Sequence, residues 1–184
     1  MNVLTSYNVR PFITADAEWL CAAVQASLSE LVHSMPWCSA EYGLTHAESW
    51  VAFSQQAWAD RTEFPLGIFE TASGAVVGGT GINHISRANG TGNIGYWVST
   101  PHTRRNVARF AAQEAARLGF GELGLTRLEI VTLPHNVASQ QVAESLGATR
   151  ECHARNRLVV GGVPQDAIVY SLVPQDAAAW STVP

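Results

Sequence analysis

The chain has 184 residues, 47% of them hydrophobic and 14% charged, with a formal net charge of −4 and an isoelectric point near 5.8. That length and apolar content suit one domain with a sizeable core, and the mild acidity excludes a general basic surface for nucleic acid. No apolar run approaches the ~18 residues of a membrane span, and the opening MNVLTSYNVR lacks the charged and apolar regions of a signal peptide, so a cytoplasmic location is expected.

Taken along the chain, a first strand falls near residues 8–12, and a helix follows with Thr14 as its expected N-cap. Trp19, Leu20, Ala23, Val24, Leu28 and Leu31 recur at helical spacing and are expected to face the core. Residues 34–43 read as a loop. Thr45 and Glu48 have the spacing of a capping box, opening a helix with Ala47, Trp50, Val51, Ser54, Ala57 and Trp58 on one face. Strands at 66–70, 76–85 and 93–98, divided by turns at Ser73-Gly74 and at 87–92, make an antiparallel meander. A helix over 107–118 is expected to stop at Gly119, and a strand over 127–133 follows. Asn136 or a neighbour caps the next helix, which closes at Gly147. A hairpin of 155–160 and 167–172 turns at Gly161-Gly162, and beyond Val173 lies a tail in which Trp180 either docks or does nothing.

All eleven basic residues are arginine, which excludes a Schiff-base lysine. Arginines cluster at Arg104-Arg105-Arg109 and at Arg150-Arg155-Arg157. Cys21, Cys38 and Cys152 are odd in number and widely spaced, which argues against a disulfide framework and a zinc site. His102 and His135 flank two loops without metal-ligand spacing and read as loop residues.

The stretch from Ile94 to Gly147 carries the chemistry. A strand IGYWV leads through TRRNVA into a helix, and LEIVTL leads through PHNVAS into another. The unpaired N–H groups and the dipole at a helix N-terminus attract an anion, and Arg104 and Arg105 stand directly before the first of these ends. The pattern suits the diphosphate of a nucleotide-bearing cofactor. Two solvated surface arginines are the plainer alternative.

From about Val9 to Leu172 the chain resembles the GNAT acetyltransferase superfamily, within it the ribosomal-protein-serine and ribosomal-protein-alanine N-acetyltransferases. The resemblance rests on Met35-Pro36-Trp37, Gly95-Tyr96-Trp97, the turn from Thr103 to Ala108, Asn136 with Ser139, and Leu146-Gly147, in that order. It implies a single-domain α/β fold with a mixed, mostly antiparallel, twisted sheet flanked by helices. It also implies transfer of an acetyl group from acetyl-CoA to an amine. Where the family turn carries Arg or Gln, this chain has Thr103, and where it carries a key glycine it has Asn106. Asn is among the side chains that best tolerate positive φ, and Arg104 and Arg105 can supply the charge.

By the same resemblance the pantetheine arm lies between the strands at 93–98 and 127–133, beside Trp97, Val98 and Ser99, and the diphosphate meets Thr103, Arg104, Arg105, Asn106, Val107 and Ala108. The Val98 N–H would support the oxyanion, Asn136 would bond the pantetheine or a water, and Ser139 would protonate the leaving thiolate. The family's glutamate base corresponds to Leu158 here. His84, late in its strand, is the alternative base, with Glu151 and His153 behind it and a water relay also open. Trp37 and Trp97 frame an acceptor pocket or belong to the core. The acceptor is a protein N-terminal α-amine or a small-molecule amine, antibiotics included, with a lysine side chain third. An acyl-CoA-binding module without turnover is the reading from another class. No metal is implied, and a homodimer is common among similar proteins.

Overall fold

The computed structural model describes residues 6–33, 35–178 and 180. In chain order the elements are β1 (Tyr7–Arg10), α1 (Ala17–Gln25), α2 (Leu28–Leu31), α3 (Leu44–Asp60), β2 (Phe64–Glu70), β3 (Val76–Ser86), β4 (Thr91–Val98), α4 (Val107–Arg117), β5 (Arg127–Thr132), α5 (Val137–Ser145), β6 (Thr149–Val160), β7 (Val163–Leu172) and α6 (Pro174–Ala178). The strands build one mixed sheet in the order β1-β2-β3-β4-β5-β7-β6. β4 and β5 run parallel, and the remaining neighbours are antiparallel. The expected meander and C-terminal hairpin are both present, the hairpin strands longer than the sequence suggested.

Helices cover both faces. On one, Leu20, Val24, Leu31, Ala47 and Val51 of α1 to α3 pack with Phe69 and Val76. On the other, Ala112, Ala115 and Ala116 of α4 and Ala143 of α5 pack with Ile82, Ile94, Leu128, Ile130 and Tyr170. Alanines along α4 let its backbone lie close to the sheet. Each large side chain buried this way contributes roughly 1.5–3 kcal/mol.

Several local expectations are corrected. Thr14 begins a 3-10 turn whose N-cap is Ile13. The capping there comes from Asp16, whose Oδ2 accepts from the Ile13 N–H at 2.8 Å while Arg10 bonds both carboxylate oxygens at 2.7 and 2.8 Å. Trp19 is 51% exposed and Trp50 39%, so neither belongs to the core stripe. α3 is capped at Gly43, ahead of the expected Thr45, and the Gly43 N–H donates to His46 Nδ1. Gly119 is no stop. The chain passes through it in a π-helical turn from Leu118 to Glu122, and a Cβ there would stand 2.9 Å from Ile82 and Leu128. Trp180 docks, its indole N–H donating to Leu146 O at 2.9 Å.

Candidate active site

β4 and β5 are paired over three positions, Thr91 with Arg127, Gly92 with Leu128 and Asn93 with Glu129. Beyond Asn93 they part. Because Ser99 N–H donates back to Val77 O at 2.8 Å, the alternation of N–H directions along a strand turns the Val98 N–H toward the opposite edge, where β5 has moved away. The fork opens into a cleft of about 760 Å³, lined along β4 by Asn93 to Val98, along β5 by Ile130 to Thr132, and above by Leu158 and Val160 of β6.

One end of the cleft is the N-terminus of α4. Arg104 and Asn106 both have left-handed backbones, φ 59° and 61°. Asn106 is the N-cap and makes no side-chain cap bond. The expected positive φ at Asn106 is therefore present, and it turns the chain so that α4 begins facing the cleft. Thr103, Arg104, Asn106, Val107, Ala108 and Arg109 all line it. Arg105 is exposed and does not, and buried Ser99 does not either, its N–H being held by Val77.

Asn136 caps α5, its Oδ1 accepting the Ser139 N–H at 3.0 Å. Ser139 Oγ stands 3.1 Å from the hydroxyl of Tyr96, which also donates to the Ser139 carbonyl at 3.1 Å. Burial pushes the Tyr96 phenol up to about 12, so it is neutral at physiological pH. Nothing in the sequence pattern joins Tyr96 to Ser139, because the contact spans 43 residues and depends on the α5 packing angle.

His84 is not brought to the site. It is exposed, has φ 49°, lies in the irregular stretch between Asn83 and Ser86, and is absent from the cleft walls. Glu151 and His153 are also elsewhere, on the exposed β6: Glu151 with Arg127 at 2.6 Å and His153 with Asp166 at 3.1 Å. Leu158, by contrast, does line the cleft. His102 is more than a loop residue. It is half-buried at the cleft wall, 3.1 Å from the Tyr7 hydroxyl, and burial lowers its pKa. Trp97 lines the cleft with its ring centroid 5.8 Å from that of Trp37, which is 44% exposed. Among the described residues no three His, Cys, Asp or Glu side chains gather as a metal set, and no helix is long and apolar enough to cross a membrane.

A mixed sheet that parts between two parallel strands, with a helix N-terminus at the mouth of the gap, defines the acyl-CoA-dependent class of N-acetyltransferases. The chain belongs to the GNAT acetyltransferase family, and it is a GNAT-family N-acetyltransferase: the profile described as Acetyltransferase (GNAT) domain matches residues 7–149. YdaF of Bacillus subtilis, whose assignment as a ribosomal N-acetyltransferase is itself provisional, is 27% identical over 128 residues, 70% of this chain and 69% of that protein. A Vibrio cholerae structure, provisionally assigned as a ribosomal-protein-serine acetyltransferase, is 30% identical with a TM-score of 0.79, covering 92% of this chain and 94% of that one. The ribosomal-protein α-N-acetyltransferase RimL, solved with coenzyme A, has a TM-score of 0.82 at 20% identity, covering 94% and 96%.

Proposed function

We propose that this chain transfers the acetyl group of acetyl-CoA to the α-amine of a protein N-terminus, of the kind found on ribosomal proteins. The observation that carries the transfer is the fork, where strand edges with unpaired N–H and C=O groups lie between the α4 N-terminus and Ser139. The likeness to the Vibrio cholerae enzyme, over nearly the full length of both chains, supports the acceptor.

The diphosphate of acetyl-CoA rests on the N–H groups of Val107 and Ala108, which the left-handed Asn106 presents, with Arg104 supplying charge and Thr103 and Arg105 at the rim. The pantetheine lies along β4 beside Trp97, and Asn136 offers its side-chain N–H to it, the oxygen being committed to the cap. The Val98 N–H stabilises the oxyanion as the neutral amine attacks the thioester carbonyl. As the C–S bond breaks, the Ser139 Oγ–H passes its proton to the departing sulfur. The amine's own proton leaves through water, which returns a proton to Ser139 Oγ, since His84 is remote and Leu158 occupies the position of the family's glutamate.

The test is thiol release from acetyl-CoA against a panel of N-terminal peptides and small primary amines, beside a thermal-shift measurement with CoA. Release with peptides supports the proposal. Release with small amines alone moves the acceptor to that class, and a thermal shift without release from either class identifies a binding module.

A further inference from the structure

Residues alternate across β4. Ile94 and Tyr96 pack beneath α4 and α5, whereas Trp97 packs with the α1 to α3 core, so Asn93, Gly95 and Trp97 share the second face. All three line the cleft, and a Cβ at Gly95 would meet nothing within 4 Å. Between Asn93 and Trp97 there is thus room for a ligand, walled by Met35, Leu158 and Val160.

Asn93 closes the far end of this space, at the last paired position of the fork. Its Nδ2 donates to Asn83 Oδ1 at 2.9 Å, and its own Oδ1 is buried with no hydrogen-bond partner among the described residues. A buried acceptor left unpaired destabilises a fold, and such atoms are rare enough to call for a cause. Glu129, opposite on β5, supplies no donor. Its carboxylate is taken up by Arg127 at 2.9 Å and Arg157 at 3.7 Å.

We infer that Asn93 Oδ1 accepts a backbone N–H of the acceptor peptide and so selects acceptors carrying a second N–H beyond the reacting amine. The spacing requires a second group. Strand residues rise about 3.3 Å each, so an amine attacking near Tyr96 to Val98 stands on the order of 10 Å from the Asn93 side chain. That span is two to three residues of extended peptide, and a small monoamine cannot bridge it. Neutral Asn93, unlike a carboxylate, would not hold the acceptor as an ammonium ion.

This inference rests on the peptide acceptor proposed above, and the experiment separates the two. An alanyl tetrapeptide amide is compared with analogues N-methylated at the second or third peptide nitrogen, for the wild type and Asn93→Ala, with KM for acetyl-CoA measured alongside. The wild type is expected to lose about tenfold or more in kcat/KM with one of the two methylated peptides, the scale of one lost hydrogen bond to a buried group. Asn93→Ala is expected to use that peptide and its parent within twofold of each other, at unchanged KM for acetyl-CoA. Wild-type kcat/KM that ignores methylation, or discrimination that survives in Asn93→Ala, overturns the assignment while leaving peptide acetylation standing. If Asn93→Ala does not fold, the wild-type comparison decides alone. A wild type that acetylates small amines and no peptide overturns both readings.

Discussion

A phenol carries one proton, and the Tyr96 hydroxyl has two partners on Ser139, the carbonyl and Oγ, each at 3.1 Å. With its proton on the carbonyl, Tyr96 receives the Ser139 Oγ–H in turn. That fixes the serine proton in one direction until a stronger acceptor, a thiolate, draws it away. Ser139→Ala should therefore lower kcat about a hundredfold with the CoA dissociation constant within twofold, checked by steady-state kinetics beside calorimetry. A fall in kcat accompanied by a rise in the dissociation constant would make Ser139 a binding residue. At the other end of the cleft, Asn106 has φ 61°, which a β-branched side chain resists. Asn106→Val should weaken CoA binding about tenfold, and Asn106→Gly should retain it, as read by CoA titration. Both residues were legible in the sequence only through the family resemblance, Asn106 at the position of the turn's glycine and Ser139 three residues after Asn136. Asn93 and Tyr96 were not, since their significance lies in atoms brought close by other strands.

Helix boundaries show where local pattern stops being decisive. Gly43 with His46 and Thr45 with Glu48 offer the same three-residue spacing, and the extended backbone of Gly43, φ −142°, settles which pair caps α3. Trp19 and Trp50 sit at helical spacing with core residues yet are exposed. His84 was misplaced for a related reason: the register slips between Asn83 and Ser86, and an element's final residues then face where the bulge sends them. The exposed face of β6 shows electrostatics at the same scale. Glu151 is held down to about 2 by hydrogen bonds from Arg127, at 2.7 and 2.6 Å, and Ser171, at 2.7 Å. Its folded value lies below the ordinary one of 4.5, so the contribution is present above that pH and is lost as pH falls toward 2. Solvent screening keeps it small. The urea midpoint of the wild type should exceed that of Glu151→Gln at pH 7, and the gap should close by about pH 2 to 3.

At the scale of the molecule, the turn glycines and alternating strands made the meander and the final hairpin legible, while the parallel pairing and its early end entered only through the family resemblance. Pairing between strands that a helix separates leaves no local signature, because the register is set by how α4 seats on the sheet. That short pairing also bears on what solvent can reach. Three paired positions join β4 to β5, and past them the amides of Tyr96 and Val98 face the gap, in the middle of a sheet where neighbouring amides are locked. In deuterated water these two should label far faster than the amides of Ile82 or Leu128, and should slow when acetyl-CoA lies along the strand. Isotope uptake at Tyr96 and Val98 would thus measure occupancy of the fork directly, with no turnover and no knowledge of the acceptor.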